Sequence, residues 1–270
     1  MSANPDPAEL QRVWDANAAF WDEYIGPDGN AFHRVLVAPG QMRLLRLQPG
    51  ERVLELACGN GQFSREMARA GAIVTASDFS PVFVERARRY ASDAGLNIEH
   101  RTADATDESQ LLAMGEGGPF DAAVCTMAIH DIAELKPMAS ALFSLMSASG
   151  RFVFSVMHPA FNATNPVFVA ETCDEDGDVT TSYALKISGY HDRPPERGTG
   201  ILGQPEAHWY FPRTLVDLLG PFFEAGWVVD GLEEPAFPAG MGTPEKPFSW
   251  RNYPAIPPVL AVRLRPLPNL

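Results

Sequence analysis

Val53-Leu-Glu-Leu-Ala-Cys-Gly-Asn-Gly-Gln-Phe63 is the stretch on which the architecture turns. A short apolar run from Arg52 to Ala57 ends in a glycine-bearing turn, and helical spacing begins at Gln62 and continues to Ala70. Strand, tight turn, helix is the unit with which a doubly wound sheet binds a ligand, beyond the carboxyl ends of its strands. Gly59 and Gly61 would let a ligand lie against bare backbone, and the amides nearby can meet a carboxylate. A dinucleotide fingerprint needs a third glycine where Ser64 stands, and Glu55 lies inside the strand, so pyrophosphate binding is disfavoured. No Lys-Ser/Thr pair follows, which excludes a P-loop.

Outward from this turn the pattern repeats. Ile73 to Ser77, Asn97 to Thr102, Phe120 to Thr126 and Arg151 to Met157 read as strands. Pro81 to Ala94 and Glu134 to Ser147 read as the helices between them. Such alternation implies right-handed βαβ units and a parallel sheet buried on both faces. Upstream, Pro7 to Tyr24 places Leu10, Val13, Trp14, Ala18 and Trp21 at helical spacing, and a second helical stretch runs from Phe32 to Leu47.

The alternation stops at His158. The segment after it is rich in turn formers, and Val167 to Thr172 with Val179 to Ile187 can pair as a hairpin around Asp174-Glu-Asp-Gly-Asp178. That acidic cluster has only half the spacing of a calcium loop. A helix resumes from Pro212 to Ala225, then a strand from Trp227 to Leu232. A loop with seven prolines, Pro235 to Pro258, leads to a last strand from Val259 to Leu264. Two late strands without a full helix between them can pair antiparallel at the sheet edge.

The expected fold is therefore α/β: a Rossmann-like, mostly parallel seven-stranded sheet with helices on both faces. N-terminal helices and an insert after the fifth strand would form a lid. One domain spans 1–270, divided as helical lid 1–48, cofactor-binding core 49–157, insert and substrate cover 158–211, and C-terminal helix and edge strands 212–270. Phe161, Phe168 and Tyr183 are the bulky insert residues expected over the substrate.

With 270 residues, 46% of them hydrophobic, the chain can bury one large core. No run of about eighteen apolar residues suggests a membrane span. Met1 to Glu9 is polar and proline-bearing, unlike a signal peptide. Cys58, Cys125 and Cys173 show no paired or metal-type spacing, so no metal is expected and a reducing cytoplasm is the simplest home. A formal charge of −13 repels nucleic acid and favours small-molecule chemistry. Nothing in the sequence speaks to oligomeric state.

Glu55-x-x-x-Gly59-x-Gly61 resembles the first motif of class I S-adenosylmethionine-dependent methyltransferases. The resemblance continues along the sheet. Asp78, with Phe79 and Ser80, is similar to the acidic segment ending the second strand, which implies a hold on the cofactor ribose. Asp104-Ala105 resembles the segment that reads the adenine. Thr126-Met127-Ala128 resembles the backbone seat of the methionine moiety, beside Ala57 and Cys58 of the turn. Tyr24 could reach the cofactor carboxylate from the N-terminal helix. His208-Trp-Tyr-Phe-Pro-Arg213, Phe223-Glu-Ala-Gly-Trp227 and Leu232-Glu-Glu-Pro235 look like small-molecule methyltransferases related to ubiquinone-biosynthesis enzymes.

The resemblance implies S-adenosyl-L-methionine as cofactor and methyl transfer to a small-molecule oxygen, nitrogen or carbon by in-line displacement. Alignment in a dry site can supply on the order of 7–11 kcal/mol of the barrier. An acceptor that must lose a proton needs a base, and His130 and His158 both follow strands at the carboxyl edge. His33 and His208 are further histidines that could enter the pocket. Rival readings are a non-catalytic module that binds the cofactor without turnover, an NAD-dependent oxidoreductase, and a nucleic-acid methyltransferase. The amino-directed nucleic-acid enzymes commonly carry Asn/Asp-Pro-Pro-aromatic where this chain has Thr126-Met-Ala-Ile129.

Overall fold

A computed structural model describes residues 5–243 and 245–267. Positions 1–4, 244 and 268–270, parts of the N-terminal stretch, the proline loop and the domain limits read above, lie outside the described residues. Seven strands form one sheet: β1 (Arg52–Leu56), β2 (Ile73–Asp78), β3 (Glu99–Thr102), β4 (Phe120–Thr126), β5 (Met146–Met157), β10 (Trp227–Glu233) and β11 (Val259–Pro266). Their order across the sheet is β3-β2-β1-β4-β5-β11-β10. The first five are parallel, and β11 runs antiparallel to both β5 and β10. The strand order reverses between β1 and β4, which opens a crevice at their carboxyl ends.

Side chains alternate across the sheet, so each strand feeds two cores. Leu54, Leu56, Phe152 and Phe154 face α6 (Lys136–Leu145) and α7 (Leu215–Glu224), while Val53, Val74, Val124 and Val153 face the opposite side. There they meet α2 (Ala38–Leu45), α3 (Gln62–Arg69) and α4 (Pro81–Asp93). α5 (Glu108–Leu112), absent from the sequence reading, joins the α6 side through Leu111. Five residues are too few to display a helical period; Asp107 nucleates the turn by accepting from Ser109 and Gln110.

Several boundaries differ from expectation, among them the start of α7 at Leu215 rather than Pro212. The stretch from Phe32 opens with a π-helical turn, His33–Val37, before α2, and α6 is shorter because β5 starts at Met146. β3 begins at Glu99 rather than Asn97. The insert folds as the expected hairpin, β6 (Val167–Glu175) with β7 (Asp178–Lys186), and a second short pair, β8 (Glu196–Gly198) with β9 (His208–Tyr210). Helix α1 (Pro7–Ile25), capped by Asp6, lies across the crevice at the carboxyl ends. No helix among the described residues is long and apolar enough to cross a membrane.

Candidate active site

A cavity of about 890 Å³ follows the carboxyl ends of β1, β2 and β4. That is near the upper end of the roughly 300–1,000 Å³ typical of small-molecule sites. One end is built on the glycine turn. Ala57 and Met127 both adopt left-handed backbone, φ 52°, at the ends of the adjacent strands β1 and β4, and turn the chain aside from the crevice. Gly59, at φ 55°, has nothing within 4 Å of where a side chain would begin, so bare backbone borders open space. Gly61, at φ 72°, instead abuts Ala87 of α4 and does not line the cavity.

Asp78 ties the turn to β2. Its carboxylate accepts from Gly59 N–H and from Ser80 N–H, each at 2.9 Å, which leaves further lone pairs for a ligand's hydroxyls. Burial pushes its pKa up to about 6. Glu55 accepts from the Ser64 hydroxyl and is pushed by burial to about 8. Asp104 accepts from Thr106 through both N–H and hydroxyl at 2.8 Å, and Ala105 and Phe79 supply apolar surface. The Cys58 thiol is driven up by burial and by Asp78, so it stays protonated. The seat at Thr126, Met127 and Ala128 is braced from behind. Met127 N–H donates to the Ser155 hydroxyl at 3.1 Å, which donates to Gln41 at 3.0 Å. Gln41 in turn donates to Thr126 at 3.3 Å.

The other end is aromatic. Trp14 and Trp21 of α1, Tyr210 of β9 and Trp250 line it, with Asn162 and Ile201 of the insert. His33, His130, Asp131 and His208 bring polar groups. Four buried polar atoms there have no hydrogen-bond partner among the described residues: Trp21 Nε1, His33 Nδ1, His130 Nδ1 and Asp131 Oδ1. Orphaned buried groups are costly, and a ligand would relieve them. Burial lowers the imidazoles of His33 and His208 to about 4 and of His130 to about 3.

Of the residues expected at the site, Tyr24, Glu55, Ala57, Cys58, Gly59, Asp78, Phe79, Asp104, Ala105, Thr126, Met127, Ala128 and His130 line this one cavity. Ser80 does not; it caps α4 and donates to Asp15. His158 also lies outside. Its Nε2 meets Glu234 at 2.9 Å, its Nδ1 accepts from Ala160 N–H at 3.2 Å, and Phe161 covers the ring. With both nitrogens engaged away from the crevice, it is poorly placed to meet a substrate. Phe168 and Tyr183 pack on Tyr253, again off the cavity. Sequence reasoning missed Asp131 and Gln204. The polar pair His130-Asp131 just after an apolar strand was the available signal for the first.

The cradle fits S-adenosylmethionine: exposed backbone at Gly59, a carboxylate for hydroxyls at Asp78, and apolar walls beside Asp104. Residues 53–150 match a family model described as a methyltransferase domain. The chain is 34% identical over 162 residues to the ubiquinone biosynthesis O-methyltransferase of Xanthomonas axonopodis pv. citri. That match spans 58% of this chain and 64% of the relative, just short of two thirds of its length. An S-adenosylmethionine-dependent methyltransferase from Mesorhizobium loti superposes with a TM-score of 0.63 at 24% identity, over 89% of this chain and 100% of that one. The DhpI–SAH complex superposes with a TM-score of 0.55 at 19% identity, over 97% of each chain. At these identities the two structures speak to the fold.

Proposed function

We propose that this chain, which matches a methyltransferase domain model over residues 53–150, transfers a methyl group from S-adenosylmethionine to a small-molecule acceptor. One observation carries the reading: the glycine-turn cradle and the aromatic chamber are two ends of a single cavity, meeting at the turn after β4. When bound, the cofactor supplies an electrophilic methyl carbon on a sulfonium sulfur. Asp78 would hold its ribose hydroxyls, Asp104 and Ala105 its adenine, and Gly59 with Thr126 to Ala128 its methionine moiety. Tyr24 is half-exposed at the rim on that side.

The acceptor would lie between α1 and the insert, which act together as its cover. Trp14, Trp21 and Tyr210 exclude water and align it, and alignment is the main demand of displacement at an already activated carbon. His130 is the expected base that borders this chamber. Its ring is neutral at pH 7 and can accept a hydrogen bond from the acceptor. The Xanthomonas relative is named as an O-methyltransferase, which supports a small-molecule acceptor here. The domain match ends at residue 150, before Asn162, His208 and Tyr210, which line the acceptor end.

Calorimetry on the full chain tests this reading. S-adenosylmethionine and its demethylated product should bind in the micromolar range, about −8 kcal/mol. Asp78→Ala should weaken binding at least tenfold, since hydrogen bonds to charged groups contribute about 1.5–3 kcal/mol. Absence of binding, or tighter binding of NAD, would overturn the proposal. Binding with no turnover across an acceptor panel would favour a non-catalytic module instead.

A further inference from the structure

One carboxylate at the acceptor end has no role in holding the cofactor. Asp131 closes the 3-10 turn Ile129–Asp131 after β4 and donates its N–H to Ala128 O at 2.8 Å. Its side chain lines the cavity at 13% exposure, between two histidines. His130 Nε2 lies 3.7 Å from Oδ2 and His208 Nε2 lies 3.6 Å from Oδ1. Both separations are too long for hydrogen bonds.

The protonation of His208 follows from its neighbour. Gln204 Oε1 accepts from Gly200 N–H at 3.1 Å, and Gln204 Nε2 donates to Glu206 O at 2.6 Å, which fixes the amide's orientation. The same Nε2 lies 2.8 Å from His208 Nδ1, so Nδ1 accepts and the neutral ring carries its proton on Nε2, toward Asp131. His208 is a donor there and not a base. No cationic imidazole balances the carboxylate, since burial keeps both rings neutral. Arg213, the nearby cation, directs its guanidinium to the carbonyls of Ile129, Ile132 and Ala133. Tyr210 is held protonated by burial and by Asp131 itself, and Glu134 also borders the chamber. Aromatic rings stand close around His208: Tyr210 at 4.3 Å, Trp14 at 4.6 Å and Trp21 at 6.4 Å between centroids.

We infer that the acceptor is a small organic amine, bound as its ammonium ion against Asp131 and the aromatic faces, and that Asp131 takes the proton from the nitrogen to be methylated. The inference rests on the methyl-transfer reading. A carboxylate and π-faces both attract a cation, and a net charge of −13 favours its approach. Burial lowers the pKa of an ammonium and raises that of a carboxyl, and Asp131 is driven well above the ordinary carboxylate range. The proton therefore moves from nitrogen to Asp131 and converts a buried ion pair into two neutral groups. A phenol gains nothing comparable, because its deprotonation by Asp131 only moves a negative charge from one buried oxygen to another.

The step balances. R–NH₃⁺ and the Asp131 carboxylate become R–NH₂ and the Asp131 carboxylic acid. The nitrogen lone pair then forms the N–C bond as the C–S bond breaks. Sulfur keeps that electron pair, and nitrogen gains the positive charge that sulfur loses.

Phenethylamine and its neutral counterpart 2-phenylethanol, with catechol as a phenol, are suitable probes, titrated by calorimetry with S-adenosylhomocysteine present. Phenethylamine should bind at least tenfold tighter than either neutral compound. Asp131→Asn should abolish that preference while leaving cofactor affinity unchanged and the melting temperature no lower than that of the wild type. In wild-type protein, the preference for phenethylamine over the alcohol and the phenol is itself a measurement that needs no variant. This readout keeps the inference testable should the variant misfold. Overturning results are equal or tighter binding of the alcohol or catechol, ammonium affinity indifferent to Asp131→Asn, or no saturable ammonium binding. Failure of the wild type to bind S-adenosylhomocysteine would instead overturn the methyl-transfer reading. The same titrations on cofactor-free protein would then judge the ammonium site alone.

Discussion

Gly59 and Gly61 sit two positions apart in one turn, and the same substitution should separate their tasks. Both have left-handed backbone, where a side chain costs about 1–2 kcal/mol. A methyl on Gly61 would also come within 2.9 Å of Ala87 on α4. Overpacking adds typically about 1–3 kcal/mol, so Gly61→Ala should lose about 2–5 kcal/mol of stability. A methyl on Gly59 meets only open cavity, so Gly59→Ala should lose just the backbone part. Its S-adenosylhomocysteine affinity should nevertheless fall at least tenfold, because the methyl stands where ligand and backbone would touch. Chemical denaturation with calorimetry on both variants checks this contrast. Wild-type binding by Gly59→Ala would move the cradle elsewhere. The glycines were legible in the sequence, but their division of labour was not, since it depends on α4 being packed behind one of them.

Helix α1 was legible from the helical spacing of its apolar residues, while its position was not. It forms a wall of the cavity, fixed at both ends. Asp22 receives Arg86 at 2.6 Å and Asn60 Nδ2 at 3.0 Å, which binds the helix to the glycine turn. Further along, Gln11 donates to Phe79 O at 2.6 Å, and Asn17 exchanges hydrogen bonds with the backbone of Glu206. Asp22 is buried and Arg86 about three-quarters so, and breaking a buried pair typically costs about 3–5 kcal/mol. Asp22→Ala should approach the lower part of that range and speed proteolysis near Gly26 and Gly29. Denaturant titration and limited proteolysis would read it. Unchanged values would mean that the contacts to Glu206 and Phe79 alone hold the helix. The insert tells a similar story: its hairpin was readable from alternation and turn residues, yet the cavity is met by the segment around Ile201 to Tyr210 instead.

Titration of the buried groups shapes stability across the entire molecule. His33, His130 and His208 have folded pKa values of about 4, 3 and 4 against 6.5 unfolded. The unfolded chain binds their protons first, so their contribution is present above pH 6.5 and is lost as pH falls toward 4. Glu55 and Asp78 act oppositely. With folded values of about 8 and 6 against 4.5 and 3.8, the folded chain holds their protons, and this stability is lost as pH rises through those values. Between pH 4.5 and 6 the three histidines outweigh the two carboxyls by about one proton, so stability rises with pH; above about pH 7 Glu55 dominates among these five. Cofactor-free protein should therefore be most stable near pH 6.5–7 and weaken by about 0.5–1 kcal/mol toward pH 8 through Glu55, at about 1.4 kcal/mol per pH unit for one proton, with Asp131, also driven up by burial, acting in the same direction. Glu55→Gln should reduce the alkaline decline in thermal melts. An identical decline in the variant would assign it to another group.

The seven strands, their alternation with helices, the glycine turn and the motif positions along the carboxyl edge could all be read from the chain. Each depends on periodicity or on backbone freedom within a few neighbouring residues. What the edge residues do once assembled depends on partners far away in sequence. His158 looked equivalent to His130, but folding brings Glu234 and Phe161 onto it and withdraws it from the crevice. His208 comes from the insert to face Asp131, and Gln204 fixes which nitrogen bears the proton. Burial and proton position are sums over neighbours contributed by chain-distant elements, so no local pattern encodes them.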